Sequence, residues 1–570
     1  MKKLLHLSFS FLAAVIMLTS CGKKYPEQLK IIPKNSASIV GFNIAELGDT
    51  LAKDNASIDS IFGQLKETSG TDVMHGADFN GIKNSGLDFT KTIYFFGNQT
   101  NSVSKGTVRI VNAAAALKDE KQLDSFLMKH GKIGELKKAN GFSYRVVDNN
   151  SMVSWNKNTV VWTNYMMVEE KVFDSSINEL RKESASKQTE NMLVEVEKLF
   201  NLKESESAAS LDGFVDLVKG SPQVFSWNNM DNMLNAYTAG MPLPVGLSEI
   251  FKDNFVATTF NFERGKIAAH STCYFNAGMQ ALLKQYNGPK VNLDLISKFP
   301  SQNIDGAFIA SFNPQIFPAL LKLSSTESFA NLGLTTVGLT TDDLTSWMKG
   351  DIAVVLSDFT LGIPENAKDF SIMDMAAIKP SAKLLISIPV TNKAALDKVL
   401  TSASKFIDEW KMKLKEHQLY LKITNDNVFV TSDTALIDQY LASKQPANID
   451  KALLDRFNGK AIAGYVDFNR TMQGISFGKS IPLIDSIKTT MNNTFGNALF
   501  TMDNYDGKVI KADAELQLKD NSMNSASVLV KLFENTMKQF KNSMMGMEKQ
   551  MNDKFKNLKP SDVEKMLKEE

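Results

Sequence analysis

Ala307-Phe308-Ile309-Ala310-Ser311-Phe312-Asn313 is an apolar run that ends in an aromatic residue and an asparagine, and a helical pattern follows it. The same arrangement occurs at Ser38–Asn43, Gln223–Asn228 and Ala463–Asn469. A short apolar run is typical of a buried strand, and asparagine is a favoured helix N-cap because its side-chain oxygen accepts from a free amide. We therefore predict four strand–cap–helix units. The predicted caps are Asn43, Asn228, Asn313 and Asn469, and the alternative is that these four side chains form a ligand site.

The spacing of these segments predicts an internal duplication. Asn313 follows Asn43 by 270 residues, and Asn469 follows Asn228 by 241. Intervening blocks match in the same order; for example, the strand patterns beginning at Tyr144 and Tyr420 correspond. The predicted halves span residues 37–290 and 291–520, and the shorter second offset indicates an insertion near 165–220 in the first half.

Glycine turns set the predicted direction of the strands. Phe255 to Phe262 and Ala498 to Tyr505 are each followed by a short turn, at Gly265 and Gly507. Strands joined by so short a turn are antiparallel. The predicted class is α+β, with each half mainly antiparallel sheet with interspersed helices.

The N-terminus has the features of an export signal. Lys2 and Lys3 precede an apolar stretch whose longest run, 11–18, is far too short to cross a bilayer. The following Leu18-Thr19-Ser20-Cys21-Gly22 resembles the bacterial lipobox, which implies cleavage before Cys21 and acylation of its thiol. We predict a signal peptide over 1–20, a lipidated tether over 21–36, and a membrane partner bound through Cys21.

Composition restricts the function further. The 64 basic and 63 acidic residues give a formal charge of +1, and removal of residues 1–20 changes this charge to −1. This balance argues against nucleic-acid binding. With two cysteines, Cys21 and Cys273, a disulfide scaffold is excluded.

The lipobox, the segment Ile32 to Ser36 and the twin halves together resemble an uncharacterised Bacteroidota lipoprotein family, a domain of unknown function. The resemblance covers nearly the whole mature chain and implies no activity and no catalytic residues. Surface-exported lipoproteins of that phylum often carry acidic residues after the cysteine, whereas Lys23 and Lys24 stand here. The predicted location is the periplasmic side of the outer membrane, with the cell surface as the alternative.

The C-terminal segment, 521–570, has a different pattern. Apolar residues recur at alternating spacings of four and three, which predicts a long amphipathic helix with one apolar seam. The seam consists of Phe533, Met537, Phe540, Met544, Met547 and Met551. The helix either packs on the body or forms a coiled coil, or it binds a partner or a membrane surface.

Motifs for catalysis are weak. Gly474–Gly478 matches G-x-S-x-G, but an α/β-hydrolase needs a histidine after the serine, and the last histidine is His417. The histidines have no metal-ligand spacing, and Asp503 to Gly507 fits a hairpin turn better than a calcium loop. We predict no catalytic residue, no metal and no cofactor.

Two functional hypotheses follow. The first is a non-enzymatic cell-envelope lipoprotein that binds an envelope protein partner or a ligand at the cleft between its halves. The second is a hydrolase or lyase that uses paired carboxylates on envelope or glycan material. Carboxylates that converge in a pocket with perturbed pKa values would favour the enzyme. The oligomeric state is left open.

Overall fold

The computed structural model of the protein describes residues 25–57, 82–102, 106–130, 133–168, 185–237, 245–363, 380–442, 449–477 and 482–539. These residues form a mixed α+β protein with extensive antiparallel sheet, which confirms the predicted class. Those up to Asn43 and from Asn84 to Pro222 form unit 1, and residues 44–57, 82–83 and those from Gln223 onward form unit 2. The units are defined by packing, so the predicted halves, 37–290 and 291–520, stay a prediction.

Unit 1 contains an antiparallel ladder in the order β1–β2–β3–β7–β6–β5–β4. Its strands are β1 (Ser38–Asn43), β2 (Thr92–Ser102), β3 (Gly106–Ala116), β4 (Lys137–Ala139), β5 (Phe142–Asp148), β6 (Ser151–Trp155) and β7 (Thr159–Val168). Its helices are α2 (Glu120–His130), α3 (Ala185–Phe200) and α4 (Asp212–Lys219), with 3-10 turns at Glu27–Ile31, Glu204–Glu206 and Ala208–Ser210.

Both faces of the unit 1 sheet are covered. Successive strand residues point to opposite faces, and the neighbours Met152 and Val153 of β6 belong to different core clusters. Met192 of α3 packs in the first cluster and Leu123 of α2 in the second. Helix α3 lies within the insertion predicted near 165–220, so the insertion contributes residues to the hydrophobic core.

Unit 2 contains a longer ladder, in the order β8–β9–β10–β19–β18–β16–β11–β12–β13–β15–β14, and β17 pairs in parallel with the end of β12. Its strands are β8 (Val224–Asn229), β9 (Phe255–Glu263), β10 (Lys266–Tyr274), β11 (Ile304–Ser311), β12 (Asp351–Ile363), β13 (Pro380–Pro389), β14 (Tyr420–Ile423), β15 (Asn427–Thr431), β16 (Ile462–Asp467), β17 (Ile475–Phe477), β18 (Phe495–Met502) and β19 (Val509–Leu518).

Short helices connect these strands. They are α1 (Ile44–Ala52), α5 (Met230–Tyr237), α6 (Val245–Phe251), α7 (Ala277–Gln285), α8 (Asp294–Ser297), α9 (Ile316–Leu323), α10 (Glu327–Thr335), α11 (Thr341–Thr345), α12 (Lys393–Ser402), α13 (Ser404–Glu416), α14 (Thr434–Ala442), α15 (Lys451–Phe457), α16 (Phe468–Gln473) and α17 (Pro482–Thr494). Residues 525–539 are also helical; we call this stretch the tail helix.

The main core of unit 2 lies on one face of its sheet. Ile309 of β11 and Phe429 of β15 are fully buried there against Ile296 of α8, Ile437 of α14 and Phe457 of α15. Side chains of the same strands that point the other way are less buried, for example Phe308, which is 40% exposed. This difference distinguishes the helix-covered face from the opposite one.

The predicted glycine turns are present. β9 and β10 are antiparallel around Gly265, and β18 and β19 are antiparallel around Gly507. Both glycines have positive φ angles, 73° and 100°, which residues with a Cβ adopt at a cost. Asp506 adds to the second turn by accepting hydrogen bonds from the backbone amides of Lys508 and Val509.

The tail helix is attached to the body of unit 2 at its first turns. Ala526 and Val530 are buried against Leu51 at the end of α1 and pack with Phe262 of β9. The backbone amide of Asn524 donates to Asp54 at 2.6 Å, and this hydrogen bond lowers the pKa of the Asp54 carboxyl. The described part of the predicted C-terminal helix therefore packs on the body.

Replacement of Val530 by alanine is expected to lower the free energy of unfolding by about 1.5 kcal/mol, because two buried methyl groups are lost. Urea denaturation followed by circular dichroism measures the change. Asn535→Ala, an exposed position of the same helix, is the control and should change stability by less than about 0.5 kcal/mol. Equal effects of the two variants would show that the helix does not contribute to the core.

Candidate functional site

Unit 2 contains a pocket of about 230 Å³ at the end of β11. Ala310, Ile462, Met502 and Ile510, from four neighbouring strands, line its sheet side. Leu283 of α7 and Tyr286 just after it line a second side, and Phe312 and Ile316 line it from the turn before α9 and the first residue of that helix. The polar side chains on the lining are Asn287, Asn313, Asp503, Asn504 and the hydroxyl groups of Ser311, Tyr286 and Tyr505. The lining is therefore mainly apolar, with a few side-chain amides.

Hydrogen bonds and ring contacts hold the walls of the pocket together. The amide of Asn287 donates to the carbonyl of Tyr505 at 3.2 Å, and the amide of Asn504 donates to the carbonyl of Pro289 at 3.3 Å. These two bonds connect the segment after α7 to the β18–β19 hairpin. On the other side, the rings of Phe312 and Phe317 meet edge to face at 5.5 Å. The ring contact stabilises the turn that leads into α9.

The electrostatics of the pocket are simple. Asp503 is the charged residue among the described lining residues. Its carboxylate forms an ion pair with Lys460, with 2.7 Å between Nζ and Oδ1. The charge is therefore compensated, and the rest of the lining is neutral, which suits an uncharged ligand.

An uncharged sheet surface extends from the pocket. Phe308, Phe500 and Gly464 each stand two positions from a lining residue of the same strand, so they lie on the same side of the sheet as the pocket. The lining residues are Ala310, Met502 and Ile462, respectively. We call this side, from β9 to β12, the uncharged face, because its paired positions carry no charged residue in the described strands. Representative members, one from each strand, are Phe262, Ile267, Leu516, Phe500, Val466, Phe308 and Val354.

A second polar cluster, at the other end of β11, bears on the enzymatic hypothesis. Asp305 is buried and accepts from the backbone amide of Phe359 at 2.8 Å. Burial raises the pKa of Asp305, while the neighbouring Arg470 opposes this change. Asp305 thus stabilises the irregular backbone where β12 departs from regular pairing.

The other two carboxylates of this cluster have structural partners as well. Asp358 accepts from Asn303 at 2.9 Å and pairs with Lys383 at 3.2 Å; these contacts outweigh its burial, so the pKa of Asp358 is lowered. Asp467 accepts from the backbone amide of Arg470 at 2.9 Å and caps α16. Because each carboxylate already serves a turn or helix end, the cluster gives the carboxylate-based hypothesis little support.

The predicted cap asparagines differ in what they do. Asn43 is the last residue of β1 and directly precedes α1. Asn313 accepts from the amide of Gln315 at 3.1 Å in the turn before α9, and it also lines the pocket. At the start of α5 the accepting side chain is that of Asn229, whose oxygen lies 3.1 Å from the backbone nitrogen of Asn232. The predicted cap Asn228 instead donates to the hydroxyl of Ser226.

The fourth predicted cap, Asn469, is wrong by two residues. Asp467 caps α16, and Asn469 lies inside that helix, where its side-chain oxygen accepts from Lys519 at 2.8 Å. Asp467 is the last residue of β16, so it reaches the start of the helix two residues before Asn469 does. Its negative charge also suits a helix N-terminus. The four asparagines therefore do not act as one set, and the structure places only Asn313 at the pocket.

Several other predicted residues can be located. Cys21 lies outside the described residues, as do Phe540, Met544, Met547 and Met551, whereas Phe533 and Met537 are half-buried in the tail helix. Cys273 lies in β10 as a free thiol, and burial raises its pKa. Gly474, the first glycine of the G-x-S-x-G match, is needed for close approach: an added Cβ would come within 1.9 Å of the carbonyl oxygen of Phe359.

In the part of the chain that the structure describes, no group of three or more His, Cys, Asp or Glu side chains is arranged to hold a metal ion. No described helix combines the length and apolar character that a membrane span requires.

Sequence reasoning did not identify the pocket. Its walls come from α7, β11, β16 and the β18–β19 hairpin, which are up to about 220 residues apart in the chain. Asn504 lies in the hairpin turn predicted at Asp503 to Gly507, but its contact with the segment after α7 has no sequence signature.

Comparison with known proteins gives a family and little else. No curated protein is significantly similar to the chain. Two crystal structures of TP0453 resemble part of it. Crystal form IV is 11% identical, covers 45% of this chain and 83% of that one, and has a TM-score of 0.23. Crystal form I is 13% identical, covers 46% and 86%, and has a TM-score of 0.21. At such TM-scores the likeness supports no conclusion about fold or function.

A family model matches residues 79–526, well over half of the chain. The match runs from before β2 to the first turn of the tail helix, so it includes most of both units and all of the pocket. The protein therefore belongs to the family described as Domain of unknown function (DUF4836).

Proposed function

We propose that the protein is a non-enzymatic cell-envelope lipoprotein that binds an apolar ligand, or an apolar side chain of an envelope protein partner, in the pocket at the end of β11. The observation that carries this proposal is the neutral, mainly apolar lining of a pocket whose one carboxylate is already paired. Ligand sites are typically apolar concavities with a few polar groups that set orientation.

The size of the pocket limits the ligand. A dry cavity of about 150 Å³ lined by aliphatic and aromatic side chains holds benzene in another protein. The present pocket, at about 230 Å³, has room for a two-ring aromatic group or a short acyl segment. The side-chain amides of Asn287, Asn313 and Asn504 on the lining suit a polar end group on such a ligand.

The repeated architecture is part of the proposal, and strand pairing supports it. In unit 1, β1–β2–β3–β7 form consecutive antiparallel neighbours, and β11–β12–β13–β15 do so in the same chain order. Likewise β8–β9–β10 and β16–β18–β19 have the same connectivity. We infer two copies of one topology, which meet where β10 pairs with β19.

Pairing also refines the correspondence within the copies. β14 pairs with β15 as β6 pairs with β7: Tyr420 stands opposite Thr431, and Met152 stands opposite Thr163. Thr163 and Thr431 are 268 residues apart, as are Met152 and Tyr420. The strand beginning at Tyr420 therefore corresponds to β6, and not to β5 as its sequence similarity to Tyr144 suggests.

The origin of the lining residues supports a site between the proposed copies. Leu283 to Gly288 come from the end of the first predicted half, whereas Ala310, Ile462 and Met502 come from the second. A duplicated protein can form a site at such a junction because each copy supplies one wall, and neither copy alone forms the complete site.

The proposal also includes a location in the cell envelope. The lipobox at Cys21 would attach the protein to the outer membrane, with the body in the periplasm or, as the alternative, at the cell surface. Several acyl chains on one residue hold a protein stably, whereas one chain holds it only marginally.

Binding can be tested with the apolar fluorophore N-phenyl-1-naphthylamine, whose emission rises in apolar surroundings. The variant Ile316→Trp is expected to fill the pocket and to weaken binding at least tenfold. Leu344→Trp is the matched control, since Leu344 is 37% exposed on α11 and does not line the pocket. Its dissociation constant should equal that of the unmodified protein. Equal binding by both variants, or no saturable binding by the unmodified protein, would contradict the proposal.

A further inference from the structure

Strand β14 leaves one edge of the unit 2 ladder open. Among the described strands it pairs with β15 alone. Its side chains are poorly covered: Tyr420 is 41% exposed, and the other three are half-buried. Lys422, the charged residue of the strand, is already paired with Asp438 at 2.6 Å. An open strand edge of this kind is a template for pairing with another chain.

The corresponding strand of unit 1 is covered on the same edge. In the duplication proposed above, β14 corresponds to β6, and β6 pairs with β7 on one side and with β5 on the other. All five residues of β6 are buried, whereas no residue of β14 is buried. The comparison indicates that an antiparallel strand in the position of β5 completes the packing of this edge.

A helix replaces that strand in the chain order of the second copy. In unit 1, β4 and β5 stand between α2 and β6, whereas in unit 2 α13 stands between α12 and β14. Helix α13 has no buried residue, while β5 buries Phe142, Tyr144 and Arg145. The helix therefore does not supply the packing that β5 supplies in unit 1.

An ion pair of unit 1 indicates the charge of a segment that fits this edge. Arg145 of β5 is buried, and its Nε lies 2.7 Å from Oδ1 of Asp124 in α2. Asp124 and its counterpart in α12, Asp397, each follow a leucine that is 3% exposed. Asp397 is 54% exposed and pairs with Lys393 of its own helix. The second copy thus has the carboxylate, but its described partner is not an arginine from a neighbouring strand.

We propose that β14 binds an extended, arginine-containing segment of a partner protein, which adds as an antiparallel strand and brings its arginine to Asp397. Main-chain hydrogen bonds give such a complex affinity, and alternate side chains give it specificity. β5 shows the sequence that fits: apolar side chains at alternate positions, such as Phe142 and Tyr144, with an arginine on the other face. Arg145 stands opposite Val153, the counterpart of Leu421. The inference rests on the proposed duplication and not on ligand binding in the pocket.

Fluorescence anisotropy of a labelled peptide tests the charge pairing. The probe is the β5 sequence itself, a fluorescein-labelled peptide of residues 141–149, added to the full chain. Asp397→Lys is expected to weaken its binding at least fivefold, and Arg145→Glu in the peptide is expected to restore binding to that variant, because the pair is then reversed. Asp408→Lys makes the same charge change at a 71% exposed position of α13 and should leave the dissociation constant unchanged. No saturable binding by the unmodified protein, or equal weakening by the two variants, would overturn the proposal.

Backbone pairing is tested separately from charge. Successive amides of a strand point to opposite edges, so methylation of alternate peptide nitrogens blocks one edge at a time. One peptide carries methyl groups on the nitrogens of Ser143, Arg145 and Val147, and a second carries them on those of Tyr144 and Val146. One of the two is expected to bind at least tenfold more weakly than the other, because only one edge of the peptide faces β14. Equal affinities would rule out strand addition.

Hydrogen–deuterium exchange of the full chain identifies the occupant of the edge. With peptide bound, the amides of residues 420–423 are expected to exchange at least threefold more slowly. Equally slow exchange without peptide would overturn the proposal, because another segment of the chain would then hold the edge. Protection that appears only as protein concentration rises would do the same, because a second copy would be the partner.

Binding of N-phenyl-1-naphthylamine separates this inference from the proposed function. Neither β14 nor Asp397 lines the pocket, so Asp397→Lys should bind the fluorophore as the unmodified protein does. Retained fluorophore binding together with no peptide binding would overturn the strand-addition proposal alone.

Discussion

Replacement of Phe429 by alanine is expected to lower the free energy of unfolding of unit 2 by about 3–5 kcal/mol. Phe429 is fully buried in the middle of β15. Its ring meets that of Tyr440 edge to face at 5.7 Å, and it packs with Ile437 on the helix-covered face. Truncation removes these contacts and leaves a cavity, because strands on either side hold the backbone in place.

Urea denaturation followed by intrinsic fluorescence measures this loss of stability. Phe406→Ala is the control, because Phe406 is 62% exposed on α13 and its removal should cost less than about 0.5 kcal/mol. If Phe429→Ala were no more destabilising than Phe406→Ala, the core of unit 2 would be wrongly assigned.

Replacement of Cys21 by serine is expected to move essentially all of the protein from the membrane fraction to the soluble fraction. The physical reason is that each buried methylene of an acyl chain contributes about 0.8 kcal/mol to membrane binding, so loss of every chain removes the anchor. The hydroxyl of serine is not a substitute, since the thiol is the group that is acylated in the lipobox pattern.

Fractionation of cells and metabolic labelling with a radioactive fatty acid measure this effect. Cys273→Ser is the matched control; it removes the other cysteine of the chain and should leave both labelling and membrane retention unchanged. A Cys21→Ser protein that stays in the membrane fraction would contradict the lipoprotein proposal, and it would leave the proposed pocket unaffected.

Local patterns predicted much of the fold. The apolar run at Ser38–Asn43 coincides with β1, the run at Ala307–Asn313 overlaps β11 (Ile304–Ser311), and the glycines at 265 and 507 lie in the two hairpin turns. These features depend on neighbouring residues: side chains alternate along a strand, and glycine permits a positive φ. The cap assignments were less accurate, because Asn229 and Asp467 compete with Asn228 and Asn469 within two residues.

The candidate site could not be predicted in the same way. Asn287 contacts Tyr505 across more than 200 residues of chain, and no spacing rule connects them. Ion pairing of Asp503 with Lys460 likewise decides whether the pocket is charged or neutral. Neither contact follows from residue type alone, since both depend on which strands become neighbours.

For this protein, short-range information in the chain was enough to specify strands, turns, the α+β class and a repeating order of elements, because each is governed by contacts within a few residues. Three-dimensional packing was needed to place four strand ends and two helices around one neutral pocket. It was also needed to cover one sheet face with helices while Phe308 and Val466 stay exposed on the other. Burial is a property of the assembled sheet, and the same apolar alternation in the sequence is compatible with either outcome.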